Sequence, residues 1–393
     1  MKTCISLSVL ALTLAFQTKA VYVPLRESSG NTFFDKWDYA DHEDNTTWGN
    51  VTYVTRDVAM SSKLTFVDGN GHAIVRVDNT TTITLPAPGQ FVHRNSVRIT
   101  TQDTYGFGNL IMIDVHHLPW GCSVWPSFWT LGTRNEWPGG GEIDIIEGIN
   151  KMTTNQMALH TVPGCAQFDP PGQMGKTLEG DCSADRGCIV QETKPDSFGD
   201  AFFAAGGGIW AAQIDVSGVY IWFWSRPNVP SFIPNATSDT TMDPSLWGTP
   251  SAAYPAQGCD ITKFSTPQQL VLLTTLWPEY QNFTAAPDLG HLEDNVIGPG
   301  SPTYDDAYWD IAYIRTYIAQ NSQPGAPSLA STTVNVKANT QVTTRATAST
   351  TSTSSTTGGV TPSQSSSAAM QFSYQSSWFI GVIGMLGILR DLF

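Results

Sequence analysis

The sequence predicts an all-β protein, a sandwich of two antiparallel sheets, and three observations carry that expectation. Short β-branched segments recur, each bounded by Gly, Asp or Asn: Lys63–Val67, Ala73–Val77, Ser96–Thr100 and Leu110–Val115. No stretch sustains a helical period of roughly 3.6 residues, and no unit of about 20–50 residues repeats. Of 393 residues only 14% are charged while 11% are aromatic, and 34 glycines and 24 prolines supply the turns. A net charge of −14 argues against nucleic acid or an anionic membrane surface as partner and is compatible with a neutral polymer.

Residues 1–20 read as a secretory signal: Lys2, an apolar run from Cys4 to Phe16 that is too short to span a membrane, and Thr18-Lys19-Ala20 as the cleavage site. Five Asn-x-Ser/Thr sequons, at Asn45, Asn50, Asn79, Asn235 and Asn282, fit passage through a secretory pathway. Once Cys4 leaves with the signal, Cys122, Cys165, Cys182, Cys188 and Cys259 remain in an oxidising compartment. Cys182 with Cys188 and Cys165 with Cys259 is one pairing that leaves Cys122 over. Spacing alone does not fix the connectivity.

The chemistry concentrates in Trp137-Pro-Gly-Gly-Gly-Glu142-Ile-Asp144-Ile-Ile-Glu147-Gly148. β-Branched residues fenced by Gly and Pro favour a strand, on which Glu142 and Asp144 share a face because the side-chain period is two. Glu147 falls out of phase. One extra residue at Ile145-Ile146, a β-bulge, restores it, and bulges collect beside active sites. The two Glu Cα atoms are then roughly 13 Å apart. Side chains leaning together on a curved sheet bring their carboxyls toward the ~5–5.5 Å of retaining glycoside hydrolysis. Three like charges this close force at least one pKa upward, and a protonated Glu147 is then the general acid. Two blander readings compete. A Ca²⁺ site lacks the loop spacing, and a solvated polar strand face would mix Lys and Thr with its acids.

This stretch resembles the glycoside hydrolase family 16 signature in its Glu-x-Asp-x-x-Glu form, found in laminarinases and mixed-linkage β-glucanases. Trp125-Pro-Ser-Phe-Trp129, Trp137-Pro and Leu159-His160-Thr161 match the surroundings of that signature. The resemblance covers roughly Phe33 to Tyr317, with Phe33–Tyr39 and Gly49–Val54 as entry strands and Tyr308–Tyr317 as the closing one. It implies a β-jelly roll over 21–320 with a concave open cleft, Glu142 as nucleophile, Asp144 as its helper and Glu147 as acid/base. Arg98 falls on the glycone side and either donates to sugar hydroxyls or pairs with a carboxylate. Trp125 and Trp129 share a strand face and are either sugar platforms or core, whereas Trp137, in a Pro/Gly loop, is a platform. His160 is either a structural histidine or a hydrogen-bonding group near the leaving-group subsite. Tyr220, Trp222 and Trp224 alternate onto one strand face, as core packing or cleft wall. The likeness breaks at Leu276-Trp277-Pro278-Glu279-Tyr280, where the family carries Cys-Gly-Asp-Trp-Ala, and the absent cysteine accounts for the odd thiol.

Beyond Gln320, residues 321–367 are a Ser/Thr-rich stalk unable to bury enough apolar area to fold. Residues 368–393, after the small residues Ser365–Ala369, read as a glycosylphosphatidylinositol attachment signal, with a single-pass membrane tail as the alternative. The expected protein is therefore a monomeric, endo-acting, retaining β-1,3(4)-glucanase at the cell surface, touching membrane only through a lipid anchor. Its partner is β-glucan, and it needs no organic cofactor and no catalytic metal; a structural Ca²⁺ away from the cleft occurs in relatives and is not among the expectations. A glucan transglycosylase using the same site and a non-catalytic glucan-binding lectin are the two alternatives.

Overall fold

The computed structural model describes residues 21–84, 92–234, 236–276 and 296–320. The signal segment, the sequons at Asn235 and Asn282, Trp277 and everything after Gln320 lie outside the described residues.

The first eight strands are β1 (Tyr22–Ser29), β2 (Trp37–Tyr39), β3 (His42–Glu43), β4 (Val51–Tyr53), β5 (Thr65–Val67), β6 (Ala73–Arg76), β7 (Arg94–Ser96) and β8 (Arg98–Thr101). Then come β9 (Asn109–His117), β10 (Val124–Gly132), β11 (Glu142–Glu147), β12 (Gln156–His160), β13 (Lys176–Thr177) and β14 (Cys188–Gln191). The last are β15 (Gly208–Asp215), β16 (Gly218–Ser225), β17 (Ala252–Pro255), β18 (Gln268–Leu276) and β19 (Tyr308–Ala319). The front sheet runs β13-β14-β12-β11-β10-β18-β8-β2, and the back sheet runs β17-β16-β15-β9-β19-β6-β5 with β1 also on β19. All pairings in both sheets are antiparallel; a small third sheet, β3-β4-β7, contains one parallel pair. Among the described residues no helix is long and apolar enough to cross a membrane.

Period-two alternation builds the main core between the sheets. From the front come Ile99, Phe128, Ile143, Met157, Leu159, Leu270 and Leu272; from the back come Ile111, Ile113, Trp210, Ile214, Phe223 and Trp309. Each such side chain contributes roughly 1.5–3 kcal/mol by leaving water. The outward face of the back sheet is covered as well. Tyr220, Trp222 and Trp224 are buried beneath Ile233, Ala236, Met242 and Trp247, and both Trp222 and Trp224 meet the Trp247 ring edge-on at 5.4 Å. Core packing is thus what the alternating aromatics of β16 do. A third cluster, in which Trp129, Val271 and Leu273 meet Val51, Tyr53 and Tyr304, roofs one end of the front sheet and leaves β10, β11 and β12 to form the site. Disulfides join Cys165 to Cys259 and Cys182 to Cys188, and Cys122 is unpaired.

Candidate active site

β11 carries the bulge its spacing predicts. On β10, Leu131 stands opposite Glu142 and Trp129 opposite Asp144; Phe128 then faces Ile146 and Ser127 faces Glu147. On β12, Glu142 faces His160, Asp144 faces Ala158 and Glu147 faces Gln156. β11 therefore has one residue more than either neighbour between Asp144 and Glu147. Ile145 and Ile146 both turn into the core, at 1% and 0% exposure, and Glu147 returns to the face of Glu142 and Asp144.

A bulge leaves backbone groups without ladder partners, and a residue the sequence reading passed over supplies them. Asn155 is fully buried; its Oδ1 accepts the Glu147 N–H at 3.0 Å and its Nδ2 donates to the Ile145 carbonyl at 3.0 Å. Its own N–H donates to Ser197 Oγ at 3.0 Å, which fixes the clamp from behind. The available signal was an Asn at the mouth of a strand, a residue type that bonds nearby backbone.

The other end of β11 is fastened through the glycines. A Cβ on Gly132 would lie 2.2 Å from the Gly140 carbonyl oxygen, and one on Gly141, whose φ is +77°, would lie 2.6 Å from the Phe264 oxygen. The loop closes this tightly only without side chains. Buried Gln268 donates to the Gly140 oxygen at 2.9 Å and accepts from Thr130 Oγ1 at 3.0 Å, while Thr130 Oγ1 also accepts the Ile143 N–H at 3.2 Å.

Each glutamate receives an indole N–H. Trp137, 56% exposed, donates to Glu142 Oε2 at 2.6 Å, and Trp125 donates to Glu147 Oε1 at 3.1 Å. Both tryptophans thus stand at the site in a hydrogen bond that the sequence did not disclose, where Trp137 reads as a sugar platform and Trp125 as platform or core. Gln156 adds a donor to Glu147 Oε2 at 3.1 Å. Asp144, 2% exposed, has an Oδ2 with no hydrogen bond; it lies 3.3 Å from His160 Nε2, which is 4.0 Å from Glu142 Oε1. The His160 ring also tilts against Trp137, centroids 5.8 Å apart.

All three carboxyls are pushed above the ordinary carboxylate range. Burial is the main cause for Glu142, followed by the Asp144 charge, with His160 and the Trp137 N–H opposing. Burial and then Glu147 raise Asp144. Burial raises Glu147, against His160, Gln156, Trp125 and Arg186. Like-charge crowding asks for at least one raised group; here burial raises all three, because nearly dry surroundings act on the whole trio. Glu142, Asp144 and His160 hold ligand atoms within 4.8 Å of one another and are, among the described residues, the one grouping with metal-ligand spacing.

Arg98 opens β8 in the front sheet. It is 9% exposed, with its guanidinium 5.3 Å from the Trp129 ring centroid, and Nη1 donates to Thr46 Oγ1 at 3.3 Å. Trp129 itself is 7% exposed, a core residue under that guanidinium. Of the sequons, Asn45 is exposed, Asn50 and Asn79 are half-buried, and Asn79 Nδ2 donates to Asp305 Oδ1 at 2.7 Å.

Comparison with known proteins agrees in sequence and in fold. The XgeA-like, catalytic GH16 domain matches residues 37–317. A probable glycosidase of Schizosaccharomyces pombe is 33% identical over 75% of this chain and 69% of its own length. An endo-1,3(4)-β-glucanase of Emericella nidulans is 32% identical over 75% of this chain and 47% of its own, and the chain spans about half the length of several other such relatives. Laminarinase 16A of Phanerochaete chrysosporium, solved with 6-O-glucosyl-laminaritriose in donor and acceptor sites, is 33% identical. The match covers 76% of this chain and 100% of that one, with a TM-score of 0.68. An elongating family 16 β-1,3-glucosyltransferase is 35% identical over 75% of this chain and 99% of that one, with a TM-score of 0.67. With two large antiparallel sheets, a family match over most of its length and relatives at about one-third identity, the chain is a jelly-roll glycosidase and belongs to glycoside hydrolase family 16.

Proposed function

We propose that the chain is an endo-acting, retaining hydrolase of β-1,3(4)-glucans, and the bulge of β11 is the observation that carries this reading. It turns Glu147 to the side of Glu142 and Asp144, so that a nucleophile and an acid can flank one glycosidic bond. Glu142 attacks the anomeric carbon as the glycosidic C–O bond breaks, and Glu147 delivers its proton to the departing oxygen. Water then gives a proton to the Glu147 carboxylate, attacks the anomeric carbon and releases Glu142 from the ester.

The resting enzyme needs Glu142 ionised and Glu147 protonated. Burial opposes the charge on Glu142, so a second group must carry the proton nearby. Asp144 suits that role: it is the most enclosed of the three and its Oδ2 lacks a donor. A proton held on Asp144 and shared with Glu142, together with the Trp137 N–H and His160, favours the nucleophilic carboxylate. Gln156 and the Trp125 N–H orient Glu147. His160 and Trp137 stand where a sugar beside the cleaved bond would touch them.

The likeness to an elongating glucosyltransferase favours one second reading, transfer of the glycosyl ester to another glucan in place of water. Product sizing on β-1,3-glucan oligosaccharides separates the two, because products longer than the substrate require transfer. Glu142→Gln should lower either activity at least about a thousandfold while leaving the fold intact. Wild-type turnover by that variant would overturn the catalytic reading and favour a glucan-binding lectin. We also propose a glycosylphosphatidylinositol tether through residues 368–393, supported by their composition. Release of the protein from cells by a phosphatidylinositol-specific phospholipase tests it.

A further inference from the structure

We propose that Trp48 is a pyranose platform at the far end of the cleft, extending substrate binding beyond the residues around Glu142 and Glu147; the proposal rests on the glucan reading of that site. Among the described residues, only two of the tryptophans are exposed. One is Trp137, bonded to Glu142, and the other is Trp48, at 75%. Trp48 also adopts φ +58°, a left-handed conformation that bulky residues avoid. An exposed indole in a disfavoured backbone conformation contributes little to folding, which points to use by a ligand.

The loop that presents it is locked. The buried Asp44 carboxylate accepts from Thr46 N–H at 3.0 Å, Thr46 Oγ1 at 2.8 Å, Thr47 N–H at 3.2 Å and Gly49 N–H at 3.2 Å, and from Thr47 Oγ1. Thr275 Oγ1 donates to the same group at 2.7 Å, and the Asn50 N–H donates to the Leu276 oxygen at 2.7 Å. The loop is thereby tied to β18 of the front sheet. Residues on either side of Trp48 touch the front sheet beside the site: Thr46 bonds Arg98, and Gly49 lies against Thr275, the register partner of Trp125.

Strand order sets the reach. β18 and β8 lie two and three strands from β11, on the side opposite His160 and β12. At about 4.8 Å per strand the loop stands roughly 10–14 Å from the catalytic strand, on the order of two to three glucosyl units along a chain crossing the sheet. Sugar C–H faces stack on flat aromatics, so an indole held rigid at that distance suits a pyranose ring of a long chain and is out of reach of a short one.

Trp48→Asn isolates the ring, because Asn accepts the left-handed backbone that the loop requires. Titrating β-1,3-glucan oligosaccharides of increasing length into Glu142→Gln and into Glu142→Gln/Trp48→Asn should give equal affinities for the shortest ligands. The longest should bind about tenfold more weakly to the double variant, and Trp48→Phe should restore most of that loss. Equal affinity at every length overturns the platform, as does an equal loss at every length, which would mark a general disturbance of the cleft. Hydrolysis by Glu142→Gln overturns the catalytic reading alone, since binding is measured independently. Absence of binding to either protein at any length overturns both.

Discussion

The two sheets each carry an aromatic stripe of the same sequence form, Trp125-x-Ser127-x-Trp129 on β10 and Tyr220-x-Trp222-x-Trp224 on β16. Their fates differ. The stripe on β16 is sealed under Ile233, Ala236, Met242 and Trp247, and it holds the back sheet to its cover. The stripe on β10 is buried at Ser127 and Trp129, whereas Trp125 is only half-buried and reaches across to hydrogen-bond Glu147. Alternation tells which residues share a face; whether that face becomes core or cleft depends on a covering segment elsewhere in the chain. The sealed stripe should answer to substitution in stability and the open one in catalysis.

The largest effect belongs to the open side. Glu147→Gln, like Glu142→Gln, should abolish measurable glucan cleavage, a fall of at least about a thousandfold, with an unchanged melting temperature or a higher one. On the sealed side, Trp222→Ala should cost about 3–5 kcal/mol of stability, read from denaturant unfolding, because the cavity beneath Trp247 cannot fill. Its kcat/KM, measured below the melting transition, should stay within about twofold of wild type. A catalytic defect in Trp222→Ala without lost stability would break the contrast.

Asn155 sharpens it, since this buried residue acts on the open face. Asn155→Ala leaves the Glu147 N–H and the Ile145 carbonyl without partners, at about 1–3 kcal/mol. If those bonds set where Glu147 points, kcat should fall about tenfold to a hundredfold while KM moves little, and the acid limb of the pH profile should shift. A stability loss with kcat intact would make Asn155 structural only.

These cases show what the sequence could and could not disclose. The carboxylates were legible because Glu142, Asp144 and Glu147 are near in the chain, and because one inserted residue is enough to bring a five-residue offset into phase on a strand. Burial of Trp222 and Trp224 was not separable from a cleft role, since the cover lies downstream and carries no local signature. Asn155 and Gln268 escaped for the related reason that each reaches a backbone carbonyl, of Ile145 and of Gly140, and such groups leave no mark in side-chain spacing. Arg98 was placed near the cleft, yet its stacking on Trp129 depends on the register of β8 and β10 across β18, a long-range fact.

The smallest expected effect concerns the energetic cost of keeping the trio dry. Burial, and then the Asp144 charge, hold the Glu142 proton more tightly in the folded protein than in the unfolded chain. Below about pH 4.5, the ordinary glutamate value, both states are protonated and Glu142→Gln changes little. As pH rises, the unfolded chain releases that proton first, so wild-type stability declines relative to the Gln variant until the folded-state value is passed. Glu142→Gln should therefore be more stable than wild type at about pH 7 and nearly equal to it at about pH 4. Urea unfolding at the two pH values checks both the sign and the window. A gap that does not widen with pH would mean that the folded protein holds the Glu142 proton no more tightly than the unfolded chain does, and burial would not be the dominant influence on this carboxyl.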